Sequence, residues 1–295
     1  MTVYENLMKE NFRICVPTRD RPNMFNRMTG VHEFYKKEEG DYDLQFYVRE
    51  SEVQAYKEVC KSTIREVPDN LNIADKRSQM LLDAIRDNKE YLFIIDDDIS
   101  LYYRKEEITS KYACKHSEVI RLDIHNKILY ESIQVCNEEF PVVGVPLKQG
   151  SQTRDPIFYK NIPLVRFVCY HVPTLKKEDI QVYGLGEIFM SDRYVQLTLL
   201  EKGYRSLSNC RYAIGDMGTG TKGGCQVTRT PALQGEAAKA LRKRFPKQVE
   251  LKWKEDGIWD EKRLDCKIFW NRFMDKGEKK EITLEEMEKD YGIKI

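Results

Sequence analysis

The sequence of 295 residues predicts an α/β fold: a mainly parallel, doubly wound sheet flanked by helices, with a helical C-terminal extension. Strand-like and helix-like segments alternate as β-α-β-α-β over the first hundred residues. Within them Tyr91–Ile95 is an unbroken apolar run, the kind of strand buried on both faces of a parallel sheet. From residue 235 onward helical spacing dominates. In such a sheet ligands bind beyond the carboxyl ends of the strands.

Phe12–Val16 is a short β-prone run stopped by Pro17. Tyr42–Val48 alternates apolar and polar residues like a half-buried strand. It leads into Ser51-x-x-Gln54, the spacing of a helix capping box, after which Val53, Tyr56, Val59 and Cys60 recur at helical spacing. A second helix is predicted over about 75–87, with Met80, Leu81, Ala84 and Ile85 on one stripe. Further strands are predicted at Val142–Pro146 and Leu164–Val172, and a helix at about 191–202 that Gly203 stops. A glycine-rich loop fills 215–224. Helices are predicted near 235–245 and 261–274, and a final one after the capping box Thr283-x-x-Glu286.

The 49 basic and 48 acidic residues leave a net charge of +1, so contact with a polyanion has to come from a local patch. No apolar run approaches the roughly 18–20 residues that a membrane span requires. The first residues are polar and mixed, and the expected location is the cytoplasm, with no membrane partner. Eight cysteines, at 15, 60, 114, 136, 169, 210, 225 and 266, lie no closer than 15 residues apart. That spacing excludes CxxC motifs and favours reduced thiols.

Asp96, Asp97 and Asp98 directly follow the buried-type strand. Three adjacent carboxylates repel one another, and the simplest compensation is a divalent cation. Hard oxygen ligands suit Mg²⁺ or Mn²⁺, which take one or two carboxylates together with a substrate's phosphates. Alternation beyond the strand points Asp96 and Asp98 the same way and Asp97 the other. The bland alternative is a solvated acidic turn.

With these motifs in view, Ile14–Ser100 resembles the nucleotide-binding half of GT-A glycosyltransferases. The residues that carry the resemblance are Val16-Pro17-Thr18-Arg19-Asp20-Arg21-Pro22, the helix start Ile73-Ala74-Asp75-Lys76-Arg77, and Asp96-x-Asp98. Farther on, Met190-Ser191-Asp192-Arg193-Tyr194 stands where many such enzymes carry Glu-Asp. The run MSDRYVQLTLLEKGYRSL and the loop GDMGTGTKGGCQ resemble phage and kinetoplastid glycosyltransferases of hydroxymethylated pyrimidines in DNA. The resemblance covers about residues 12–225. It implies a GT-A-like domain over 1–234, with a nucleotide-binding half at about 12–100 and an acceptor half at about 101–234, and 235–295 packed on it as the extension. It also implies transfer of a hexose, expected to be glucose, from a UDP-sugar to a hydroxyl, and a host-cell setting if the chain is phage-encoded.

Two departures from the family pattern stand out. Ser191 replaces the Glu of Glu-Asp, which leaves Asp192 as the acceptor-side carboxylate and candidate general base. No histidine follows residue 171, so Asp216 is the nearest oxygen ligand to join Asp96 and Asp98 at the metal. Pro17, Thr18, Arg19, Arg21, Arg77, Asp96, Asp97 and Lys222 are candidate donor-binding residues, the arginines as bidentate phosphate contacts. Tyr102 and Tyr103 are acceptor candidates, although core packing explains one tyrosine equally well. Arg242, Lys243, Arg244 and Trp253 belong to a basic stretch interleaved with Phe245 that suits DNA. A sugar transferase acting on a glycan, lipid or protein, a nucleotidyltransferase-like enzyme and a nucleic-acid-binding module all remain open on sequence alone, as does the oligomeric state.

Overall fold

The computed structural model describes residues 6–7, 10–22, 42–60, 62–104, 112–114, 118–148, 157–180, 190–216, 224, 229–255 and 261–293. The first half runs β1 (Phe12–Pro17), β2 (Leu44–Arg49), α1 (Val53–Lys57), β3 (Thr63–Val67), α2 (Ile73–Arg86), β4 (Tyr91–Ile95), β5 (Ile99–Arg104), β6 (Tyr112–Cys114) and α3 (Glu118–Val135). The second half continues with β7 (Val142–Gly144), β8 (Phe158–Lys160), β9 (Phe167–His171), α4 (Val172–Lys177), α5 (Ser191–Glu201), β10 (Ser206–Asn209) and β11 (Tyr212–Asp216). The chain ends with α6 (Pro231–Arg244), β12 (Val249–Lys254), β13 (Arg263–Ile268), β14 (Glu281–Ile282) and α7 (Leu284–Tyr291).

Nine strands form the central sheet in the order β14-β8-β10-β7-β9-β4-β1-β2-β3. β1 pairs parallel with β2 and β4, β2 with β3, and β7 with β10. β9 is antiparallel between β4 and β7, and β8 antiparallel between β10 and β14. Among the described residues, seven of the nine strands therefore run one way, the mainly parallel sheet that the sequence predicts.

Successive residues of one strand serve opposite faces. Ile14, Val16, Phe93 and Ile95 pack with Ile128, Leu129 and Ile133 of α3. Cys15, Leu92 and Ile94 pack with Met80, Leu81 and Ala84 of α2. The apolar stripe read from 75–87 is thus the face of α2 that closes one side of the sheet. Asn72 starts this helix by accepting the Asp75 N–H at 2.9 Å.

Several local readings are corrected. β2 is buried almost throughout rather than half-buried, because β1 and β3 flank it; its Gln45 is accommodated by Asp43 and Arg65 at 2.8 and 2.9 Å. The Ser51 capping box does not form. The Ser51 hydroxyl donates to the Asp69 carboxylate at 2.9 Å, and a single 3₁₀ turn over Glu50–Glu52 precedes α1. The helix expected over 261–274 is β13 followed by a 3₁₀ turn at Trp270–Phe273, since Leu264, Cys266 and Ile268 alternate with polar residues at strand period. The C-terminal extension accordingly contains a hairpin and the sheet-edge strand β14 besides its two helices. Its first helix begins at Pro231, capped by Thr230. The Thr283–Glu286 capping box forms in full. Cysteines 15, 60, 136, 169, 210 and 266 are buried free thiols.

Candidate active site

β1 and β4 lie side by side and parallel, so their carboxyl ends deliver the Thr18–Arg21 loop and the Asp96–Asp98 triplet to one place. Pro17 closes β1, its backbone in register with Tyr47. The Thr18 hydroxyl donates to Asp97 at 2.7 Å and lies 2.7 Å from the Tyr56 hydroxyl. Lys76, buried on the first turn of α2, ties down the Thr18 and Tyr47 carbonyls at 3.0 and 3.2 Å. Arg19 is more open than Thr18 or Arg21, with Nε 3.2 Å from the still more exposed Asp20. The far end of the glycine-rich loop returns here. Gly224 donates its N–H to the Arg19 carbonyl at 3.0 Å, with φ +63°, and a Cβ at that position would sit 3.0 Å from the Arg21 guanidinium.

Each carboxylate of the triplet meets an arginine. Arg77 donates to Asp96 at 2.8 Å; Arg21 pairs with Asp97 and reaches Asp98 at 3.2 Å; Arg166 donates to Asp98 at 3.1 Å. Side-chain exposure separates their roles: 4% for Asp97 against 21% for Asp96 and 14% for Asp98. Asp97, expected beside the donor, is instead sealed beneath the loop by Thr18 and Arg21. Burial pushes its carboxyl up to about 7, against the pull of the Arg21 guanidinium. Burial, and then the neighbouring Asp96 charge, push Asp98 above the ordinary carboxylate range, against Arg166 and Arg21. The expected division holds: Asp97 points inward, while Asp96 and Asp98 stay near the surface and sense each other.

Asp96 and Asp98 are the right donors for a hard divalent cation, and the charge each feels from the other is what such an ion would relieve. β11 pairs with β5 so that Asp216 stands across from Ile99, next to Asp98 in the chain. Among the described residues no group of three His, Cys, Asp or Glu side chains is gathered as a ready metal cage. Gly215 is required for this approach, because a Cβ there would lie 2.7 Å from the Tyr102 ring. Tyr102 also carries Lys148 over its ring at 4.1 Å, and Tyr103 packs against the main core. Lys222 lies outside the described residues.

Asp192, the candidate general base, occupies the first turn of α5, where a carboxylate also suits the helix dipole. Ser191 is buried and accepts from Arg77 at 3.4 Å. Arg77 thereby connects the triplet to the start of α5. Tyr170 lies between them: burial first, and after the opposing Arg77 the charges of Asp192 and Asp96, raise its hydroxyl pKa. The hairpin β12–β13 is fastened to the same helix start. Cys266 lies 3.6 Å from both Arg193 and the Met190 sulfur, and Asp265 lies 3.9 Å from Arg193. Trp253 on β12 is 65% exposed. Lys243 is exposed, Arg242 bonds the Pro246 carbonyl, and Arg244 donates to Glu201 at 2.5 Å. Phe245, read as an interleaved aromatic, is fully buried against Leu197 and Leu241, because it ends the apolar face of α6.

Three non-glycine residues with left-handed backbones border the site: Asp20, Arg166 and Met190, at φ +57°, +67° and +64°. Such strain persists where surrounding contacts over-determine it, and it clusters at functional sites. Sequence reasoning missed Arg166, Lys76 and Tyr56. Lys76 and Tyr56 were in view as parts of helices, and burial gave them their roles. Arg166 carries no motif.

Fold and site together define an α/β chain with a mainly parallel sheet and an arginine-buttressed acidic triplet beyond the ends of its parallel strands. The chain is similar to the beta-glucosyl-HMC-alpha-glucosyl-transferases of Enterobacteria phages T2 and T6. Each is 23% identical over 235 residues, covering 76% of this chain and 79% of the phage protein. No protein-family profile matches. Among solved structures, mannose-1-phosphate geranyltransferase from Thermus thermophilus superposes with a TM-score of 0.43 and 12% identity, over 75% of this chain and 80% of that one.

Proposed function

We propose that this protein is a glucosyltransferase that takes glucose from UDP-glucose and places it on a hydroxymethylated pyrimidine in DNA, bare or already glucosylated. The observation that carries this reading is the triplet with its three arginines at the carboxyl ends of β1 and β4, in a chain similar over three quarters of its length to phage glucosyltransferases. The relatives' name specifies a β-glucosyl-HMC acceptor, so the acceptor hydroxyl belongs to the base's hydroxymethyl group or to a sugar already on it.

In this reading Pro17, Thr18, Arg19, Arg21, Arg77 and Lys222 surround the UDP moiety. Asp97 anchors the loop that presents them. Asp96 and Asp98, with Asp216, would hold a Mn²⁺ or Mg²⁺ ion, which when bound offsets the charge of the leaving diphosphate. Asp192 accepts the proton of the acceptor hydroxyl. The hydroxyl oxygen bonds to the anomeric carbon as the bond from that carbon to the β-phosphate oxygen breaks, and UDP departs with the bonding pair. DNA lies along the hairpin and the end of α6, with Lys243 near phosphates and Trp253 available to an unstacked base. In this reading the reaction takes place where such DNA is made, in the host-cell cytoplasm. Among the described residues no helix is long and apolar enough to cross a membrane.

The test is mass spectrometry of DNA oligomers containing HMC, β-glucosyl-HMC or plain cytosine, after incubation with UDP-glucose and Mn²⁺. A gain of one hexose on a modified base only, falling steeply as salt rises, is the expected result. Transfer to a glycan or lipid with none to DNA would replace the acceptor. Release of pyrophosphate from a nucleoside triphosphate would replace the reaction.

A further inference from the structure

We infer that Arg166 is a binding residue for the donor's diphosphate, an inference that rests on the nucleotide-sugar reading above. Arg166 is held at the triplet by its backbone as well as its side chain. Its carbonyl accepts the Asp96 N–H at 2.7 Å, and its guanidinium donates to Asp98 at 3.1 Å. It maintains this position in a left-handed conformation, φ +67°, that L-residues with a Cβ disfavour. The turn at Arg166 is closed by the Phe167 N–H on the Val165 carbonyl at 2.8 Å, just before Phe167 enters the core.

The three arginines differ in what already holds them. Arg21 is 5% exposed and locked to buried Asp97; Arg77 is 10% exposed and spans Asp96 and Ser191. Arg166 is 25% exposed, and its partner Asp98 already has Arg21 at 3.2 Å. Three carboxylates face three guanidiniums, so an arriving diphosphate brings charge that this balance does not cover. Of the three, Arg166 can turn toward the diphosphate while leaving Asp98 paired with Arg21. A guanidinium matches two phosphate oxygens at once.

Removing Arg166 also strips a cation from Asp98, and that alone would weaken anion binding. The test is therefore a double-mutant cycle, read by calorimetry of UDP and of uridine in EDTA, with wild type, R166A, D98N and D98N/R166A. Direct contact predicts that R166A weakens UDP by about 10- to 100-fold in both backgrounds and leaves uridine unchanged. R166K, which keeps the charge but loses the fork, should fall between. An R166A effect that disappears in the D98N background would overturn the inference and assign Arg166 to charge balance alone. Equal loss of uridine and UDP would overturn it as well. Wild type that binds uridine but not UDP would sink the donor reading itself, and this inference with it.

Discussion

Arg77 donates to Asp96 at 2.8 Å and lies 3.4 Å from the Ser191 hydroxyl, so one guanidinium joins the end of β4 to the start of α5. Arg77 thus links two segments that the sequence reading assigns to donor and to acceptor. Replacing it tests that join. R77A is expected to raise the KM for UDP-glucose at least tenfold, since a charge-assisted contact at the triplet is lost. R77K should recover only part of it. An unchanged KM would show that the guanidinium serves the fold alone.

Asp97 and Asp98 are expected to behave oppositely although they are neighbours. D97A leaves the Arg21 guanidinium buried without its main partner, a loss of about 3–5 kcal/mol for a buried pair. D98A removes a carboxylate that is partly exposed and leaves Arg21 its main partner Asp97, so its stability cost is expected to be smaller, about 1–2 kcal/mol. Urea denaturation separates them, and equal midpoints would contradict the burial difference.

Asp192 is expected to act on rate rather than on folding. D192N should lower kcat by about 10²–10⁴, the range for loss of a general base, with its melting temperature unchanged. Product stereochemistry decides its role further. UDP-glucose is α-linked, so a base acting in one back-side displacement gives a β-glucoside; an α-glucoside, the linkage in the phage relatives' name, would make Asp192 a residue that positions the acceptor.

Gly215 passes so close to Tyr102 that G215A should destabilise by about 1–3 kcal/mol through overpacking. In a Y102A background the same change should cost much less. Thermal melts of the two single variants and the double variant check this coupling.

His125, fully buried on α3, has its pKa pushed down to about 3 by desolvation. Its folded value lies below the unfolded value of about 6.5, so the unfolded chain binds the extra proton. Stability from this residue is complete above pH 6.5 and is lost as pH falls toward 3, by an amount on the order of 4 kcal/mol. H125F should flatten the stability–pH curve between about 6.5 and 4; a slope as steep as wild type would contradict this.

Much of the sheet was legible because its strands are either continuously apolar or bounded by Pro and Gly. β1, β4, α2 and α5 lie within a few residues of their expected bounds, and they carry the loop, the triplet, Arg77 and Asp192. Period also misled. Over 261–274 a strand alternation was read as helical, and Phe245 looked like part of a binding surface although it ends a buried helix face. The triplet's chemistry was only half legible. Repulsion among Asp96, Asp97 and Asp98 called for compensation, and three arginines from distant parts of the chain supply it. Arg166, 68 residues beyond Asp98, could be found only once β9 folded back beside β4.

The central claim is that a nucleotide diphosphate binds beyond the end of β4, over Asp96 and Asp98. The most direct measurement is thermal shift with UDP-glucose, GDP-glucose and ADP-glucose, with and without Mn²⁺, on wild type and D98A. A ligand that binds only the folded state raises its melting temperature. A rise with UDP-glucose that grows with Mn²⁺, and whose Mn²⁺-dependent part is absent in D98A, is the predicted result. No shift from any of the three nucleotides, or an identical Mn²⁺-dependent shift in D98A, would contradict it.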